Sequence, residues 1–331
     1  MRLPRATAVL ALAVGLTGCS RQSILSTRSK PAHDIALLWW WMLGAATVVF
    51  LGAIAMLAVA WWRRDKPGLP FVGEREDLSQ GMVLMFGIVV PLVALVALFG
   101  VSDVYLVGQT APPNPRSTKM TINVIGHQFW WEVRYTGTHV ITANEIHIPA
   151  NTRVNVVATS ADVIHSFWVP ALNRKIDMVP GMRNRVLLYA SRPGVYRGQC
   201  SQFCGLQHAH MSLRVFAQPP AAFRAWLSGQ EQPAATPRSP KAAAGQRLFM
   251  NAQCASCHTI AGTPAQGTVG PNLTHVGSRT SLASDEIPNT PKWLAAWIQN
   301  PQKIKPGSRM PDLGLSSPQI ERLVAYLETL R

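Results

Sequence analysis

Two long stretches without a charged side chain constrain this sequence more than any other feature. Ile35 to Trp62 and Leu78 to Ser102 contain no Asp, Glu, Lys or Arg. About 20 apolar residues are enough to cross a bilayer as a helix, so each stretch can span it. Pro91 falls inside the second stretch, where neighbouring groups can satisfy the carbonyl that it leaves unpaired. We therefore predict a two-helix transmembrane hairpin within residues 19–109, in preference to two buried helices of a soluble domain.

The residues beside these stretches indicate an orientation. The connecting loop, residues 63–77, carries the basic residues Arg63, Arg64, Lys66 and Arg75. Because short loops rich in Lys and Arg stay in the cytoplasm, the residues after Ser102 are predicted on the opposite face. Indole rings favour the headgroup level, and the ends of the first stretch carry Trp39, Trp40, Trp41, Trp61 and Trp62.

The front of the chain has the layout of a secretory signal peptide. Residues 1–18 combine a basic start, an apolar run and a small-residue end. Leu16-Thr17-Gly18-Cys19 resembles the lipobox of bacterial lipoproteins, which implies lipidation of Cys19. The alternative is an ordinary signal peptide with a chance cysteine. Lipidation is favoured because Cys19 is the one cysteine of five outside a paired motif.

Beyond the hairpin the sequence pattern changes twice. Residues 110–228 hold short alternating runs separated by Gly, Pro and Asn, which is typical of an all-β sandwich or barrel. Residues 229–243 are rich in Pro, Ala, Gln and Ser and indicate a flexible linker. Residues 244–331 show amphipathic helical patterns. The net charge of +15 is spread over all segments rather than gathered in a basic arm, so we predict no nucleic-acid partner.

Four potential metal ligands lie in one short segment. Cys200, Cys204, His208 and Met211 have the spacing C-x3-C-x3-H-x2-M. A disulfide between the cysteines is the alternative in an oxidising compartment, but it gives no use to the histidine or the methionine. Thiolate, imidazole and thioether together suit copper. Two thiolates can bridge two copper ions if the fold supplies a second imidazole, for which His165 is the candidate. His210 is expected at the solvated surface.

A second motif predicts a haem. The run Cys254-Ala255-Ser256-Cys257-His258 is C-x-x-C-H, the attachment motif of c-type haem. Cys254 and Cys257 would form the thioethers, and His258 would bind the iron. A zinc ribbon would need a second cysteine pair downstream, and a thioredoxin-like pair would need a βαβ context. This sequence has neither.

The second axial ligand of that haem is predicted to be Met310. It lies in a loop rich in Pro and Gly just before the last helical pattern. Methionine opposite histidine raises the haem potential, which suits an electron donor to copper. His275 is the rival, and we expect it to pack beside the haem instead.

The copper pattern resembles the binuclear copper A site of subunit II of haem-copper cytochrome c oxidases. In that family a first histidine lies in D-V-x-H-S and the other ligands in C-S-x-x-C-G-x-x-H-x-x-M, and this chain has "DVIHS" and "CSQFCGLQHAHM". The resemblance implies a cupredoxin-like Greek-key barrel and the copper ligands His165, Cys200, Cys204, His208, Met211 and the carbonyl of Gln202. The family usually has glutamate at position 202, and the glutamate side chain also holds magnesium. Magnesium is therefore not implied here.

The segment "GHQFWW" resembles the aromatic segment "GHQWYW" of the same family, through which electrons enter copper A from a docked cytochrome. Phe129 stands at the first aromatic position, and Trp130 follows it. The resemblance implies that these two side chains receive the electron. Ordinary buried aromatics of a strand are the alternative.

Together the two motifs are similar to the caa-type oxidase, in which subunit II carries its own cytochrome c. This resemblance implies an all-α class I cytochrome c domain and a place in the bacterial inner membrane, with both domains on the periplasmic or outer face. It implies the role of electron inlet, from a cytochrome c or bc complex to haem c, to copper A and then to subunit I. Subunit III would be a further partner. The chain itself would hold no catalytic residue, because oxygen is reduced in subunit I.

Two departures from the family affect these expectations. Leu84 stands where the family often has a glutamate at a cytoplasmic proton entrance, so proton uptake there is not implied. Residues 110–230 have four acidic and twelve basic residues, whereas oxidases that use a basic soluble cytochrome c generally offer acidic residues around copper A. We expect weak turnover with basic soluble cytochrome c.

Two other functions are compatible with the sequence. The chain could be the electron-donating subunit of a copper A type nitric oxide reductase, which consumption of nitric oxide rather than oxygen would distinguish. It could also be a redox sensor or a copper-storage lipoprotein without a catalytic partner. A stable, isolated monomer would indicate that function.

Overall fold

The computed structural model describes residues 22–64, 76–103 and 112–331. The predicted signal peptide and Cys19 lie outside the described residues, as does most of the basic loop. The described chain forms two compact units, one within residues 30–111 and one that joins residues 22–29 with 112–331.

The first unit contains two helical segments that are long and apolar enough to cross a membrane, Lys30–Arg63 and Gln80–Val101. The first has 34 residues, which corresponds to about 51 Å at 1.5 Å per residue. Most apolar side chains of both segments are exposed, and Ala32 and Ala36 near the start of the first are buried; a lipid-facing surface requires such exposure. These segments confirm the two predicted helices. The first begins at Lys30 rather than Ile35, because a first helical turn does not need apolar side chains.

The second segment changes its winding before Pro91. An α-helix, Glu76–Leu84, passes into a π-helical stretch, Met85–Val89, and then into an α-helix, Val90–Val101. Proline has no N–H to donate, and its ring crowds the carbonyl four residues earlier. A π-helical turn accommodates one extra residue at such a point. The helix therefore continues through the proline.

The β domain of the second unit has ten strands in two five-stranded sheets. The strands are β1 (Met120–His127), β2 (Trp130–Tyr135), β3 (Ile141–Ala143), β4 (Glu145–Pro149), β5 (Val154–Ser160), β6 (His165–Trp168), β7 (Ile176–Met178), β8 (Asn184–Leu188), β9 (Gly194–Cys200) and β10 (Ser212–Gln218). The strand orders are β3-β2-β1-β5-β8 and β4-β10-β9-β6-β7. β1 pairs with β5 and β4 with β10 in parallel, and the other pairs within these two sheets are antiparallel. This fold confirms the predicted all-β domain.

The core of the β domain lies between its two sheets. Large side chains from both sheets are fully buried there, among them Trp131 of β2 and Phe167 of β6. The same core cluster includes Cys200, Cys204 and Met211. The segment that follows β9 is therefore packed at one end of a rigid sandwich, where side-chain positions are well fixed.

The helical domain follows the β domain and confirms the predicted cytochrome-like region. Its elements are the helices Pro240–Asn251, Cys254–Cys257, Pro291–Gln299, Pro301–Ile304 and Ser317–Leu327, and a ribbon of β11 (Ser281–Leu282) and β12 (Ile287–Pro288). The first and last helices pack through Phe249 and Tyr326, whose ring centroids are 6.0 Å apart. Ser316 and Gln319 form a capping box at the start of the last helix, which satisfies N–H groups that a helix start leaves unpaired.

The segment predicted as a flexible linker is short and packed. The helix Pro220–Gln230 runs into it, and the next helix begins at Pro240. Between them, Ala234 N donates to Ala261 O at 3.1 Å. Residues 229–243 are therefore not free over their whole length, because helices occupy both ends and the backbone between them contacts the helical domain.

Candidate metal centre and haem pocket

The predicted copper ligands meet at one end of the β sandwich. His165 opens β6 and Cys200 ends β9, while Cys204, His208 and Met211 lie in the copper loop, the segment between β9 and β10. His165 and Met211 are fully buried, and the two cysteines are 3% and 4% exposed. The cysteine sulfurs lie 3.9 Å apart and are not bonded. The structure therefore contains no disulfide at this position.

The donor atoms form two similar halves. Cys200 Sγ lies 3.8 Å from His165 Nδ1 and 3.2 Å from the carbonyl oxygen of Gln202. Cys204 Sγ lies 3.7 Å from His208 Nδ1 and 3.8 Å from the methionine Sδ at the end of the copper loop. Each sulfur thus has one imidazole and one weaker donor. A metal ion about 2.3 Å from each thiolate fits between the sulfurs, and this soft donor set suits copper.

Asp162 determines which nitrogen of His165 faces the sulfurs. Its Oδ1 lies 2.9 Å from His165 Nε2, which leaves Nδ1 towards Cys200. Burial would raise the pKa of Asp162, but hydrogen bonds from His165 and from the backbone N–H groups of Gln128 and Val163 lower this pKa to about 2. A carboxylate that orients a metal-binding histidine is a common feature of metal sites. Sequence reasoning missed this role, although the three-residue spacing in "DVIH" carries the signal.

The two thiols change the acidity of each other. The hydrogen bond from Cys204 lowers the pKa of Cys200, and His165 lowers it further against the opposing effect of burial. The same contact, together with burial, raises the pKa of Cys204. Both cysteines would bind a metal ion as thiolates, since only the thiolate is a ligand.

Two nearby histidines have other partners. His210 is half-exposed, and its Nδ1 lies 2.8 Å from Glu286 Oε2. The ring of His147 stacks between Phe216 and Trp226, with centroid distances of 4.7 and 4.0 Å. His210 therefore lies at the surface, as predicted, and His147 belongs to the packing of the β domain.

The predicted haem residues line a single apolar pocket of the helical domain. Cys254, Cys257, His258 and Met310 all contribute to its wall. His258 Nδ1 lies 2.7 Å from Pro271 O, which leaves Nε2 free to bind iron. Burial lowers the pKa of His258, so the imidazole stays neutral, as a metal ligand must be.

The residues that line the pocket suit a porphyrin. Gly270 lies against the proposed iron ligand, and a Cβ there would be 2.5 Å from Cε1 of His258. A side chain at this position would displace the imidazole. The other lining residues of the helical domain are mostly apolar and include Phe249, Leu273, Val276, Leu294, Trp297, Ile298 and Leu323. These residues fit a haem attached through the two cysteines.

His275 is not among the residues that line this pocket, and a place beside the haem stays a prediction. Its Nε2 lies 3.2 Å from Gln230 O and 3.1 Å from Gln232 O. The histidine therefore holds the connection between the two domains. Its position in the sequence, close to the haem motif, does not determine the direction of its side chain.

Two parts of the chain match known families. Residues 138–217 match the family described as cytochrome c oxidase subunit II, periplasmic domain, and residues 242–331 match cytochrome c. Cytochrome c oxidase subunit 2 of Alkalihalophilus pseudofirmus is 32% identical over 330 residues, which cover 97% of this chain and 95% of the relative. The chain belongs to the cytochrome c oxidase subunit II family.

Other oxidase subunits are similar to all or part of this chain. Cytochrome c oxidase subunit 2 of Bacillus subtilis is 26% identical over 339 residues, which cover 96% of this chain and 94% of the relative. The crystal structure of the periplasmic domain of subunit II of cytochrome oxidase from Bradyrhizobium japonicum is 30% identical. The match covers 36% of this chain and 95% of the Bradyrhizobium chain, with a TM-score of 0.34.

Membership of the oxidase subunit II family indicates the general role of the chain and the cofactors of its two sites. The chain is a subunit of a haem-copper oxidase and takes part in electron transfer. Its two matched regions imply copper A and haem c as cofactors. The cluster of His165, Cys200 and Cys204 lies in the first matched region, and the haem pocket residues 254–258 and 310 lie in the second.

The segment Gln128-Phe129-Trp130 of this oxidase subunit lies between the two sites. All three residues line the haem pocket, and Gln128 Nε2 donates to Cys204 O at 2.7 Å. A Cβ at Gly205 would lie 3.2 Å from Phe129 Cζ, and Gly205 has a φ of +123°, so glycine is needed there. The ring of Phe129 therefore rests on the copper loop. Sequence reasoning selected the two aromatics but missed Gln128.

Proposed function

We propose that this chain is the electron inlet of a terminal cytochrome c oxidase. In this proposal an external donor reduces haem c, haem c reduces copper A, and copper A passes electrons to subunit I, where oxygen is reduced to water. The observation that carries the proposal is the position of Phe129. Its side chain lines the haem pocket and contacts the copper loop at Gly205, so one buried side chain adjoins both cofactor sites.

We assign the ligands as the sequence predicted them. The proposed copper pair is held by His165, Cys200, Cys204, His208, Met211 and the carbonyl of Gln202. The proposed haem is attached through Cys254 and Cys257, with His258 and Met310 as axial ligands. When bound, the two cofactors would supply one-electron chemistry. The protein contributes buried and fixed donors, so little rearrangement accompanies each change of charge.

The surface charge of the β domain favours the attached haem over a basic soluble cytochrome c as the electron source. Of the four acidic residues in residues 110–230, Glu132 and Glu145 are buried, and Asp162 is paired with His165. Asp177 is half-exposed and lies 3.5 Å from Lys175. Such a surface offers little long-range attraction to a cationic partner. A tethered haem does not need that attraction.

The membrane placement completes the proposal. Both helices would span the inner membrane of a bacterium, with the basic loop in the cytoplasm and both domains on the periplasmic or outer face. Subunits I and III, and a cytochrome c or bc complex as donor, are the proposed partners. Protease added to spheroplasts should remove the β and helical domains, and mass spectrometry of the mature N-terminus should detect lipid on Cys19.

A combined spectroscopic and turnover measurement tests the function. We expect the purified complex to show low-spin haem c by absorption, a mixed-valence copper pair by EPR, and consumption of oxygen. One copper per chain, or a disulfide between Cys200 and Cys204 in the active protein, would contradict the copper assignment. Consumption of nitric oxide in place of oxygen would identify the reductase alternative.

A further inference from the structure

Lys305 is a buried lysine that the proposed electron route leaves without a role. It follows the helix Pro301–Ile304 and lies five positions before Met310. It is 2% exposed. Its Nζ donates to Phe129 O at 2.9 Å, to His210 O at 2.8 Å and to Ala283 O at 2.8 Å. The three donors of the ammonium are thus matched by three carbonyl oxygens.

The acceptors of Lys305 come from both domains. Phe129 and His210 belong to the β domain, and Ala283 belongs to the ribbon of the helical domain. Burial lowers the pKa of Lys305 to about 7, which shows how costly this position is for a charged group. A buried charge persists only where hydrogen bonds compensate for lost water. Separation of the domains would remove two of the three acceptors.

The two carbonyl acceptors from the β domain belong to residues that lie on or beside the proposed electron route. His210 lies in the copper loop, between the proposed ligands His208 and Met211. Phe129 is the side chain that adjoins both cofactor sites. Lys305 therefore connects the loop that contains Met310, the proposed axial ligand, to the copper loop and to Phe129.

Other buried polar contacts hold the same interface. The ribbon turn of the helical domain has three successive residues with positive φ, Ala283, Ser284 and Asp285, and it lies against β9 and β10. Asp285 pairs with Arg197 at 3.2 Å and with Arg214 at 2.6 Å. The Asp285 side chain is 3% exposed, whereas the two arginine side chains are 37% and 36% exposed, so the ion pairs are shielded from water on the aspartate side only.

Hydrogen bonds between two serines continue this interface next to the copper loop. Ser284 Oγ donates to Ser212 O at 2.8 Å, and Ser212 N donates to Ser284 O at 3.2 Å. Displacement of one domain from the other would leave these polar groups unpaired, which costs free energy.

We propose that Lys305 is a positioning residue for electron transfer, which fixes the haem pocket against Phe129 and the copper loop so that electrons pass in one docked arrangement of the two domains. This inference rests on the proposed electron route. One electron leaves the reduced haem iron and reduces the copper pair, and no bond forms or breaks. The lysine lines the wall of the haem pocket without being a proposed cofactor ligand, and it acts through the positions of Phe129 and the copper loop.

The test measures the rate of electron transfer from haem c to copper A in the purified oxidase after flash reduction of the haem. In Lys305→Leu we expect this rate to fall at least about tenfold, because a misplacement of about 1 Å can cost on the order of 100-fold in a positioned reaction. The rate should also become dependent on solvent viscosity, since domain docking takes microseconds to milliseconds. Haem content and the copper EPR signal should stay unchanged.

Lys303→Leu is the matched control. This exposed lysine lies two positions earlier, and its variant should keep the wild-type rate without viscosity dependence. The proposal would be overturned if the Lys305→Leu protein were less stable but transferred electrons from haem c to copper A at the wild-type rate, independently of viscosity.

A second variant decides the matter if Lys305→Leu does not assemble. Asp285→Asn weakens the same docked arrangement and leaves all three acceptors of Lys305 in place. We expect a smaller decrease in rate that also depends on viscosity, and a wild-type rate in this variant would then overturn the proposal. Loss of the haem or copper signals in the wild-type protein would instead contradict the proposed function.

Discussion

The copper cluster and the haem pocket of this oxidase subunit are built in different ways. All the proposed copper donors come from the β domain, and the two cysteines and Met211 belong to its hydrophobic core. The haem pocket takes its proposed ligands from the helical domain, but part of its wall is the segment 128–130 of the β domain. One site is complete within a single fold, and the other is closed by its neighbour.

Because the two sites are built differently, metal binding and electron transfer depend on different parts of the molecule. Copper binding depends mostly on contacts within one sandwich, such as the hydrogen bond between Asp162 and His165, and the helical domain adds an ion pair from Arg309 to Asp162 at 3.5 Å. The passage of electrons depends on the interface, where Lys305 and Asp285 hold the two domains together. Changes within either domain should therefore affect one cofactor, whereas changes at the interface should affect the exchange between them.

The largest expected effect is the loss of copper A in His208→Asn. Removal of one imidazole from the paired donor set should abolish the mixed-valence EPR signal and reduce oxygen consumption to background. Haem c absorption should persist, because its proposed ligands lie in the other domain. His210→Asn is the control, since His210 pairs with Glu286, and it should retain copper. Retention of the signal in His208→Asn would contradict the ligand assignment.

Met310→Leu should affect the haem and leave the copper pair intact. We expect the haem to stay attached through Cys254 and Cys257 while its midpoint potential falls on the order of 100 mV, since axial ligands tune haem potentials over about 0.8 V. Redox titration measures this change, with Met182→Leu as control because Met182 is 53% exposed. An unchanged potential would show that Met310 is not the axial ligand.

Asp162→Asn should weaken copper binding without removing a ligand. The amide no longer fixes His165 as the carboxylate does, and such outer partners are worth about 10–100-fold in metal affinity. Competition with a copper chelator measures this loss. Asp177→Asn, at a half-exposed aspartate, should leave the affinity unchanged. Equal affinities in both variants would mean that Asp162 does not orient the ligand.

Glu145 should contribute a smaller and pH-dependent stabilisation of the interface. Its Oε1 accepts from Thr280 N at 2.7 Å and Thr280 Oγ1 at 2.6 Å. Burial would raise the pKa of Glu145, but His147 and Thr280, together with the charge of Arg279, lower it. A carboxyl with a lowered pKa stabilises the folded state above its unfolded pKa of about 4.3 and loses this contribution as the pH falls through the folded pKa.

Glu145→Gln should therefore lower the unfolding free energy by about 1–3 kcal/mol at neutral pH. The difference from the wild type should shrink under acid conditions, as denaturant unfolding at several pH values would measure. Glu231→Gln, at an exposed position, is the control. A difference that stays constant across this range would exclude an ionised Glu145 at the interface.

The candidate cofactor ligands could be selected from the sequence because their chemistry leaves short patterns. C-x-x-C-H puts two cysteines and a histidine within five residues, and the copper loop gathers four donors into 12 residues, Cys200 to Met211. The charge-free stretches were equally clear, since a bilayer imposes a length and a composition. His165 lies far from the copper loop in sequence, and its assignment needed the family resemblance.

The side chains that orient and connect the sites could not be predicted in this way. Lys305 and Phe129 are 176 positions apart, and nothing near either residue indicates the other. Local patterns determined which cofactors this protein can hold, because covalent attachment and metal ligation need donors close together in the chain. Only the packing of two domains decided how the cofactor sites face each other, because buried charges and backbone carbonyls find their partners after the chain has folded.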